Sequence, residues 1–270
     1  MTVLKFVTTN TKLLQMLKQA FIYDKDSSLK DTMLRCKPNG ILVIDNSFGA
    51  MSIYAQYPIS FFDSYECIKD ENVIITPNIF KDIKKKNSIF KGKDEKITIH
   101  TKDNKIFFSG NHERYSDSLG SAQEQEFFEV ELKDTGHVPK VWNPKLKFSV
   151  NTEDLNVLDK EDIHLECDGK EVQLKVSDET TTGVYEKSLI LTETLTPILS
   201  SSRSVYSKMF FDSILANIGG EVVLSTNDKV LVFFSKNGDG SLVTYYLHSK
   251  YAEQQNQIVN QQEIPVIGKV

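Results

Sequence analysis

Short runs in which apolar and polar residues alternate dominate this chain, and they predict a protein built mainly from antiparallel strands. Turn residues such as Asp103-Asn104 and Asp168-Gly169 separate successive runs. In the first half the predicted strands are Val3–Thr8, Thr32–Cys36, Ile41–Asp45, Ala50–Gln56, Tyr65–Ile68, Ile97–Thr101, Lys105–Ser109 and Phe127–Leu132. In the second half they are Leu146–Val150, Ile163–Cys167, Glu171–Val176, Val184–Leu191, Arg203–Tyr206, Glu221–Ser225, Lys229–Ser235 and Leu242–Leu247.

Four segments instead show the spacing of amphipathic helices, with apolar residues three and four positions apart. In the first, Leu13, Leu14 and Leu17 form the apolar face, and lysines lie away from it. A few helices with one polar face each, among many strands, favour antiparallel sheets with helices packed on one side. The predicted helices are Asn10–Tyr23, one that begins near Thr76-Pro77 and contains Ile79, Phe80 and Ile83, Asn151–Lys160 and Ser207–Ile218.

The order of these elements repeats, which indicates two similar halves. Asp31–Cys36 returns as Asp162–Cys167, and Lys102–Ser109 returns as Thr226–Ser235. Both echoes fall on strand-like runs and keep their order, as expected of a duplicated unit. We therefore predict a first domain at residues 1–132, a connecting loop at 133–145, a second domain at 146–251 and a disordered Gln/Asn-rich tail at 252–270.

The composition is that of a globular protein. Of 270 residues, 40% are hydrophobic and 26% are charged. No apolar run is long enough to cross a bilayer, and the N-terminus lacks the features of a signal peptide. Three scattered cysteines are too few for a disulfide framework. These features predict an intracellular protein with no membrane partner, placed in a nucleus, nucleoid or viral replication site according to its source.

The net charge of −5 is unevenly distributed. Residues 1–130 hold 18 Lys and Arg against 17 Asp and Glu, whereas residues 131–270 hold 14 against 20. An acidic total argues against a protein that coats nucleic acid with its whole surface, but it is compatible with one basic face.

The sequence lacks the common catalytic motifs. It has no phosphate-binding glycine loop, no dinucleotide fingerprint and no Gly-x-Ser-x-Gly, and its histidines lack metal-ligand spacing. We therefore predict no catalytic residue, no metal and no cofactor. A duplicated β-rich unit without a catalytic signature indicates a scaffold or ring component more than an enzyme.

Three stretches carry a family resemblance through their order and spacing. They are Gly40–Ser47 with the downstream Phe62–Cys67, the Val138-Pro139 linker, and the terminal Val243–Lys250. Over residues 1–251 the chain resembles the DNA sliding clamps of the proliferating cell nuclear antigen (PCNA) family, of archaeal or viral type. It departs from the family at Ser249, where proline is usual, and in a third helix that lacks the usual basic residues.

The resemblance implies an α+β fold of two similar domains, each with antiparallel sheets and two helices on one face, which assembles into a ring. It implies a processivity factor that encircles duplex DNA in replication and repair. The implied partners are duplex DNA, a DNA polymerase, a clamp loader and other replication proteins that dock a short peptide. The implied assembly is a homotrimer.

The resemblance also implies two groups of site residues. Lysines on the helices that the family turns toward DNA would contact phosphates without sequence preference. These DNA contacts are Lys12, Lys18, Lys81, Lys84, Lys85 and Lys208. Positions that match the family's partner-peptide pocket are Phe48, Val138, Tyr246, His248 and Ser249.

Three alternatives stay open at the level of sequence. The acidic Glu153, Asp154 and Asp159 of the third predicted helix favour a subunit of a heteromeric clamp, of the checkpoint type or the archaeal heterotrimeric type. A monomeric viral processivity factor would hold DNA by charge alone. A duplicated β-rich adaptor would have no role with DNA.

Overall fold

The computed structural model describes residues 4–20, 32–45, 51–76, 79, 83, 90, 92–111, 113–119, 146–156, 162–167, 171–180, 183–191, 202–226 and 230–250. The chain divides into two compact units. The first is built from Met1–Ser47, Ser52–Trp142 and Phe234–Tyr245, and the second from Phe48–Met51, Asn143–Phe233 and Tyr246–Val270.

Strands make up most of both units. In chain order they are β1 (Leu4–Thr9), β2 (Thr32–Lys37), β3 (Gly40–Asp45), β4 (Met51–Pro58), β5 (Ser64–Cys67), β6 (Glu71–Ile75), β7 (Lys96–Lys102), β8 (Lys105–Ser109), β9 (Arg114–Ser118), β10 (Leu146–Asn151), β11 (Ile163–Cys167), β12 (Val172–Thr180), β13 (Gly183–Leu191), β14 (Ser202–Tyr206), β15 (Glu221–Thr226), β16 (Val230–Lys236) and β17 (Leu242–His248).

Two sheets form the first unit. One has the order β5-β1-β7-β8-β9, and its neighbouring strands are antiparallel. In the other, β6, β2, β3 and β4 follow one another as antiparallel neighbours, and β17 lies beside β4. Buried and more exposed residues alternate along β7 and β8, so one face of their sheet packs on the core and the other meets solvent.

The second unit also contains two sheets. One has the order β13-β12-β11-β14, and β10, β15 and β16 lie side by side in the other. The antiparallel pair β11–β12 and the antiparallel pair β2–β3 of the first unit are each formed by consecutive strands. The echo between Asp31–Cys36 and Asp162–Cys167 therefore falls on the first strand of matching pairs.

Helices cover the sheets and complete the core. In the first unit, helix α1 packs Leu13, Met16 and Leu17 toward β1 and β3. In the second unit, the ring of Phe211 meets that of Phe233 edge to face at 5.4 Å. None of the described helices is long and apolar enough to span a membrane. The helices are α1 (Asn10–Ala20), α2 (Thr152–Leu155) and α3 (Lys208–Leu215), with a short 3-10 helix at Ile59–Phe61.

The predicted strands and helices that fall within the described residues are present, with shifted ends. Two further strands were not predicted. In β6, Val73, Ile74 and Ile75 are buried in succession, so the strand shows no alternation. In β9, an edge strand, no residue is fully buried, so no apolar pattern marks it.

Two predicted helices are shorter than expected. Helix α2 ends at Leu155 rather than at Lys160. The backbone N–H of Asn156 is shared between the carbonyl oxygens of Thr152 and Glu153, a geometry common at helix ends. Helix α3 spans Lys208–Leu215 rather than Ser207–Ile218. The predicted strand at 127–132, the connecting loop at 133–145 and the tail at 252–270 lie outside the described residues, so the domain boundaries stay a prediction.

Candidate nucleic-acid interface

The first turn of α1 is capped and tied to the chain just before β7. Oγ1 of Thr9 accepts a hydrogen bond from the backbone N–H of Lys12 at 3.3 Å. The backbone N–H of Asn10 donates to the carbonyl oxygen of Glu95 at 2.9 Å. The first N–H groups of a helix have no partner within it, so these two bonds fix where α1 begins.

Side chains strengthen the same attachment. Nδ2 of Asn10 donates to the carbonyl oxygen of Phe90 at 2.8 Å, in a buried position. The hydroxyl of Thr11 donates to the carbonyl oxygen of Lys93 at 2.9 Å. Helix α1 is therefore anchored at its start by backbone and side-chain bonds, and this anchoring sets the direction of its lysines.

Lys12, a predicted DNA contact, already has a protein partner. Its Nζ donates a 2.6 Å hydrogen bond to the carbonyl oxygen of Phe61 and lies 5.2 Å from the centroid of the Phe61 ring. Phe61 is fully buried and packs against Tyr57 and Phe62, with ring centroids 4.8 and 5.1 Å away. Because an aromatic face attracts a cation, this contact holds the half-buried Lys12 against the protein.

Lys18, the second predicted contact on α1, is exposed. It lies in the last turn, where a cation also interacts favourably with the helix dipole. The buried side of the helix is formed by Leu13, Met16 and Leu17, each 1% exposed. Lys18 is therefore the lysine of α1 that presents its charge to solvent.

The second predicted helix is described only in part. Ile79 and Ile83 are helical and buried, as the apolar face of this helix requires. Its predicted DNA contacts Lys81, Lys84 and Lys85 lie outside the described residues, as does Phe80. Their role stays a prediction.

The helices of the second unit carry the opposite balance of charge. Lys208 opens α3 and pairs with Asp212, one turn later on the same helix. Glu153 and Asp154 are exposed in the first turn of α2, where the side chain of Asn151 accepts a 3.0 Å hydrogen bond from the backbone of Glu153. Helices α2 and α3 thus carry three carboxylates and one lysine, whereas α1 carries two lysines and no carboxylate.

The predicted peptide pocket is also described in part, since Phe48 and Val138 lie outside the described residues. Tyr246 and His248 lie on β17, and Ser249 directly follows it. Tyr246 is 8% exposed and Ser249 is 2% exposed, whereas His248 is only half-buried. His248 is the most accessible of these three, and the grouping of all five residues stays a prediction.

A second basic surface was not predicted from the sequence. Lys5, Lys102, Lys105 and Arg114 are exposed on four strands of the five-stranded sheet in the first unit. The signal was present, since Lys5 stands between buried neighbours in a predicted strand. Its meaning required the register between strands, which the sequence does not provide.

No protein-family model and no curated protein matches the sequence. Solved structures, in contrast, match the fold. The C-terminal region of FEN-1 bound to A. fulgidus PCNA gives a TM-score of 0.66 at 11% identity, covering 92% of this chain and 98% of that chain. The PCNA2-PCNA3 complex from Sulfolobus tokodaii gives 0.64 at 14% identity, with coverages of 91% and 99%. PCNA from Entamoeba histolytica gives 0.66 at 14% identity, with coverages of 93% and 100%.

At these identities the likeness concerns the fold. It confirms the predicted class, in which antiparallel sheets with few helices form two similar domains. It also confirms, at the level of fold, the family resemblance read from the sequence. The chain has the fold of the PCNA sliding clamps.

Proposed function

We propose that the protein is a DNA sliding clamp, a ring that encircles duplex DNA and tethers a polymerase and other replication and repair enzymes. The observation that carries this proposal is a fold match along nearly the whole of both chains, 91–93% of this one and 98–100% of the PCNA chains. A clamp acts by topology and needs no catalytic group, so we propose neither an enzymatic activity nor a cofactor.

Lysines on the helices contact the DNA. A phosphate backbone carries the same charge in every sequence, so exposed lysines bind it without reading bases. The exposure of Lys18 and the lack of carboxylates on α1 support this role. Lys208 contributes less to phosphate binding, because its charge is already paired with Asp212. The full proposed set is Lys12, Lys18, Lys81, Lys84, Lys85 and Lys208.

Assembly and partners belong to the same proposal. The protein forms a homotrimer inside the cell, is placed on DNA by a clamp loader and binds replication proteins through a short peptide. One matching structure contains a FEN-1 region with PCNA, and another is a complex of two PCNA chains, which supports a multimeric, peptide-binding protein. The proposed peptide site combines Phe48, Val138, Tyr246, His248 and Ser249.

Topological binding is tested with linear duplex DNA that carries biotin at both ends. Streptavidin added after the protein closes the ends and should retain a threaded ring through a high-salt wash. Streptavidin added before the protein should keep the ring off. Equal retention in the two orders would contradict encirclement, because charge alone does not depend on free ends.

Variants and solution mass separate the remaining alternatives. Replacing Lys18, Lys81, Lys84 and Lys85 with Glu should weaken binding to open-ended duplex DNA at low salt, because it reverses the charge that meets the phosphates. Lys69→Glu, at an exposed lysine outside the helices, should not. Light scattering should give three times the monomer mass for the wild type and for both variants. A monomer would favour a mixed ring or a monomeric viral factor, and no retention of the wild type in either order of addition would favour an adaptor with no DNA role.

A further inference from the structure

The five-stranded sheet of the first unit has one face that meets solvent. On the other face, Phe6, Ile99 and Phe108 are buried. Because side chains alternate along a strand, the residues between these buried positions share the solvent face. Strand register places one row of them directly across this face: Glu66, Lys5, His100, Phe107 and Ser116, on β5, β1, β7, β8 and β9 in turn.

Two aromatic rings form the centre of this row. The imidazole of His100 stacks on the ring of Phe107, with centroids 4.8 Å apart and planes only 6° from parallel. Both side chains are half-buried, and the residue opposite Phe107 on β9 is the small, exposed Ser116. Aromatic side chains that stand on a sheet surface offer a stacking partner to a planar ligand.

Cations surround the stacked pair. Lys5, Lys102, Lys105 and Arg114 are all exposed on the same face. Lys102 and Lys105 lie directly opposite each other on β7 and β8, an arrangement of like charges that destabilises a sheet. An anion bound between them would offset this repulsion. A fifth cation of the face, Lys96, pairs with Asp63 at 3.1 Å, so its charge is already neutralised within the protein.

The charge of this face contrasts with that of the whole chain. Among the described residues, the strands place on this face one carboxylate, Glu66, and four cations that form no ion pair, in a protein with a net charge of −5. Burial lowers the pKa of the His100 imidazole, and the ammonium groups of Lys5 and Lys102 lower it further. His100 is therefore neutral at pH 7, when it acts as a stacking ring rather than as another cation.

We propose that this face binds single-stranded nucleic acid. Unpaired bases stack on the His100–Phe107 pair, and the phosphates between them contact the surrounding lysines and Arg114. Duplex DNA hides its base faces inside the helix, so it has no ring to offer to this pair. An acidic peptide would pair with the cations but would make no use of the stacked rings. The proposal goes beyond the clamp function and does not depend on it.

The test measures fluorescence anisotropy of a labelled oligothymidylate over a range of salt concentrations. Phe107→Leu keeps an apolar side chain but removes the ring, and it should weaken binding at least about tenfold. Lys102→Gln with Lys105→Gln should reduce the slope of log affinity against log salt by about 1.4, since each phosphate contact on a single strand contributes about 0.7. The matched control Lys69→Gln should leave affinity and slope unchanged.

Three results would overturn the proposal. They are no binding of oligothymidylate, full affinity in the Phe107→Leu variant, and equal competition by polyglutamate, which would identify a surface for acidic peptides. Thermal unfolding followed by circular dichroism establishes that each variant is folded. His100→Gln is a second variant that removes a stacking ring, at a half-buried position, and it should also weaken binding. Duplex retention in the end-blocking assay should survive all of these changes, so failure of this proposal and failure of the clamp proposal remain distinguishable.

Discussion

Nζ of Lys12 lies 2.6 Å from the carbonyl oxygen of Phe61, and this contact distinguishes two lysines of one helix that the sequence presents alike. A lysine ammonium group has three donor protons, and Lys12 directs one of them into the protein. Lys18 lies exposed in the last turn of the same helix. The two lysines therefore differ in what they contribute to stability and in how freely they reach a phosphate.

The first prediction concerns the stability of variants at these two lysines. Lys12→Met should lower the free energy of unfolding by about 1 kcal/mol, because it removes a charge-assisted hydrogen bond and a cation–π contact while keeping most of the side-chain length. Lys18→Met should change it by less than about 0.5 kcal/mol. Urea denaturation followed by circular dichroism measures both values. Equal stability of the two variants would mean that the contact with Phe61 does not persist in solution.

A second prediction contrasts two buried tyrosines of the first unit. The hydroxyl of Tyr57 donates a 2.6 Å hydrogen bond to Oε1 of Gln19. The hydroxyl of Tyr245 is buried without a partner among the described residues. Tyr57→Phe should therefore cost about 1–2 kcal/mol of stability, whereas Tyr245→Phe should be neutral or stabilising by up to about 1 kcal/mol. Urea denaturation of the two variants measures both changes in the free energy of unfolding. A decrease as large for Tyr245→Phe as for Tyr57→Phe would show that the Tyr245 hydroxyl has a hydrogen-bond partner.

The third prediction concerns alkaline pH. Burial raises the pKa of Tyr57, Tyr65 and Tyr245 in the folded protein. An unfolded tyrosine loses its proton near pH 10, so above about pH 10 the unfolded state binds fewer protons than the folded state. This contribution to stability is complete below that pH and is lost progressively as the pH rises toward the raised values.

Denaturation at a series of pH values should therefore show stability falling above about pH 10. Tyr245→Phe should make this fall shallower, because it removes one of the titrating groups. Lys69→Gln, at an exposed site, is the control and should leave the curve unchanged. An identical slope in wild type and Tyr245→Phe would place the Tyr245 hydroxyl in contact with water.

Much of the fold follows from local pattern. The alternation of residues around Ile97 and Ile99 predicts β7, and Asp103-Asn104 predicts the hairpin turn, where both residues adopt positive φ values of 51° and 58°. Strand β9 was not predicted because it is an edge strand in which neither face is fully buried, so no apolar pattern marks it. The pattern is informative where one side of a strand is buried, and it fails where both sides are buried or both are open.

The candidate sites were harder to predict, because they depend on contacts between distant parts of the chain. Lys12 and Lys18 both lie away from the apolar stripe of α1, and only the position of Phe61, 49 residues further along, distinguishes them. The stacking of His100 on Phe107 likewise requires the register of β7 and β8. Sequence pattern assigns a residue to a face, but tertiary packing decides which neighbours that face presents.

The last prediction concerns the acidic helix α2 and rests on the proposed clamp function. If the helices surround duplex DNA, exposed Glu153 and Asp154 repel its phosphates. Glu153→Gln with Asp154→Asn should therefore raise the salt concentration at which the protein is released from duplex DNA with open ends. Both carboxylates lie at the positive end of the helix dipole, which stabilises them. The same variant should therefore lose about 0.3–1 kcal/mol of stability for each charge removed.

A charge-matched control distinguishes a local effect from a change in net charge. Asp70→Asn with Glu113→Gln removes two exposed carboxylates outside the described helices. If α2 faces DNA, this control should shift the release of duplex less than the α2 variant does, because repulsion between charges in water falls steeply beyond about 8–10 Å at physiological salt. Equal shifts would mean that the whole acidic protein repels DNA, and no shift in either variant would place α2 away from the DNA path.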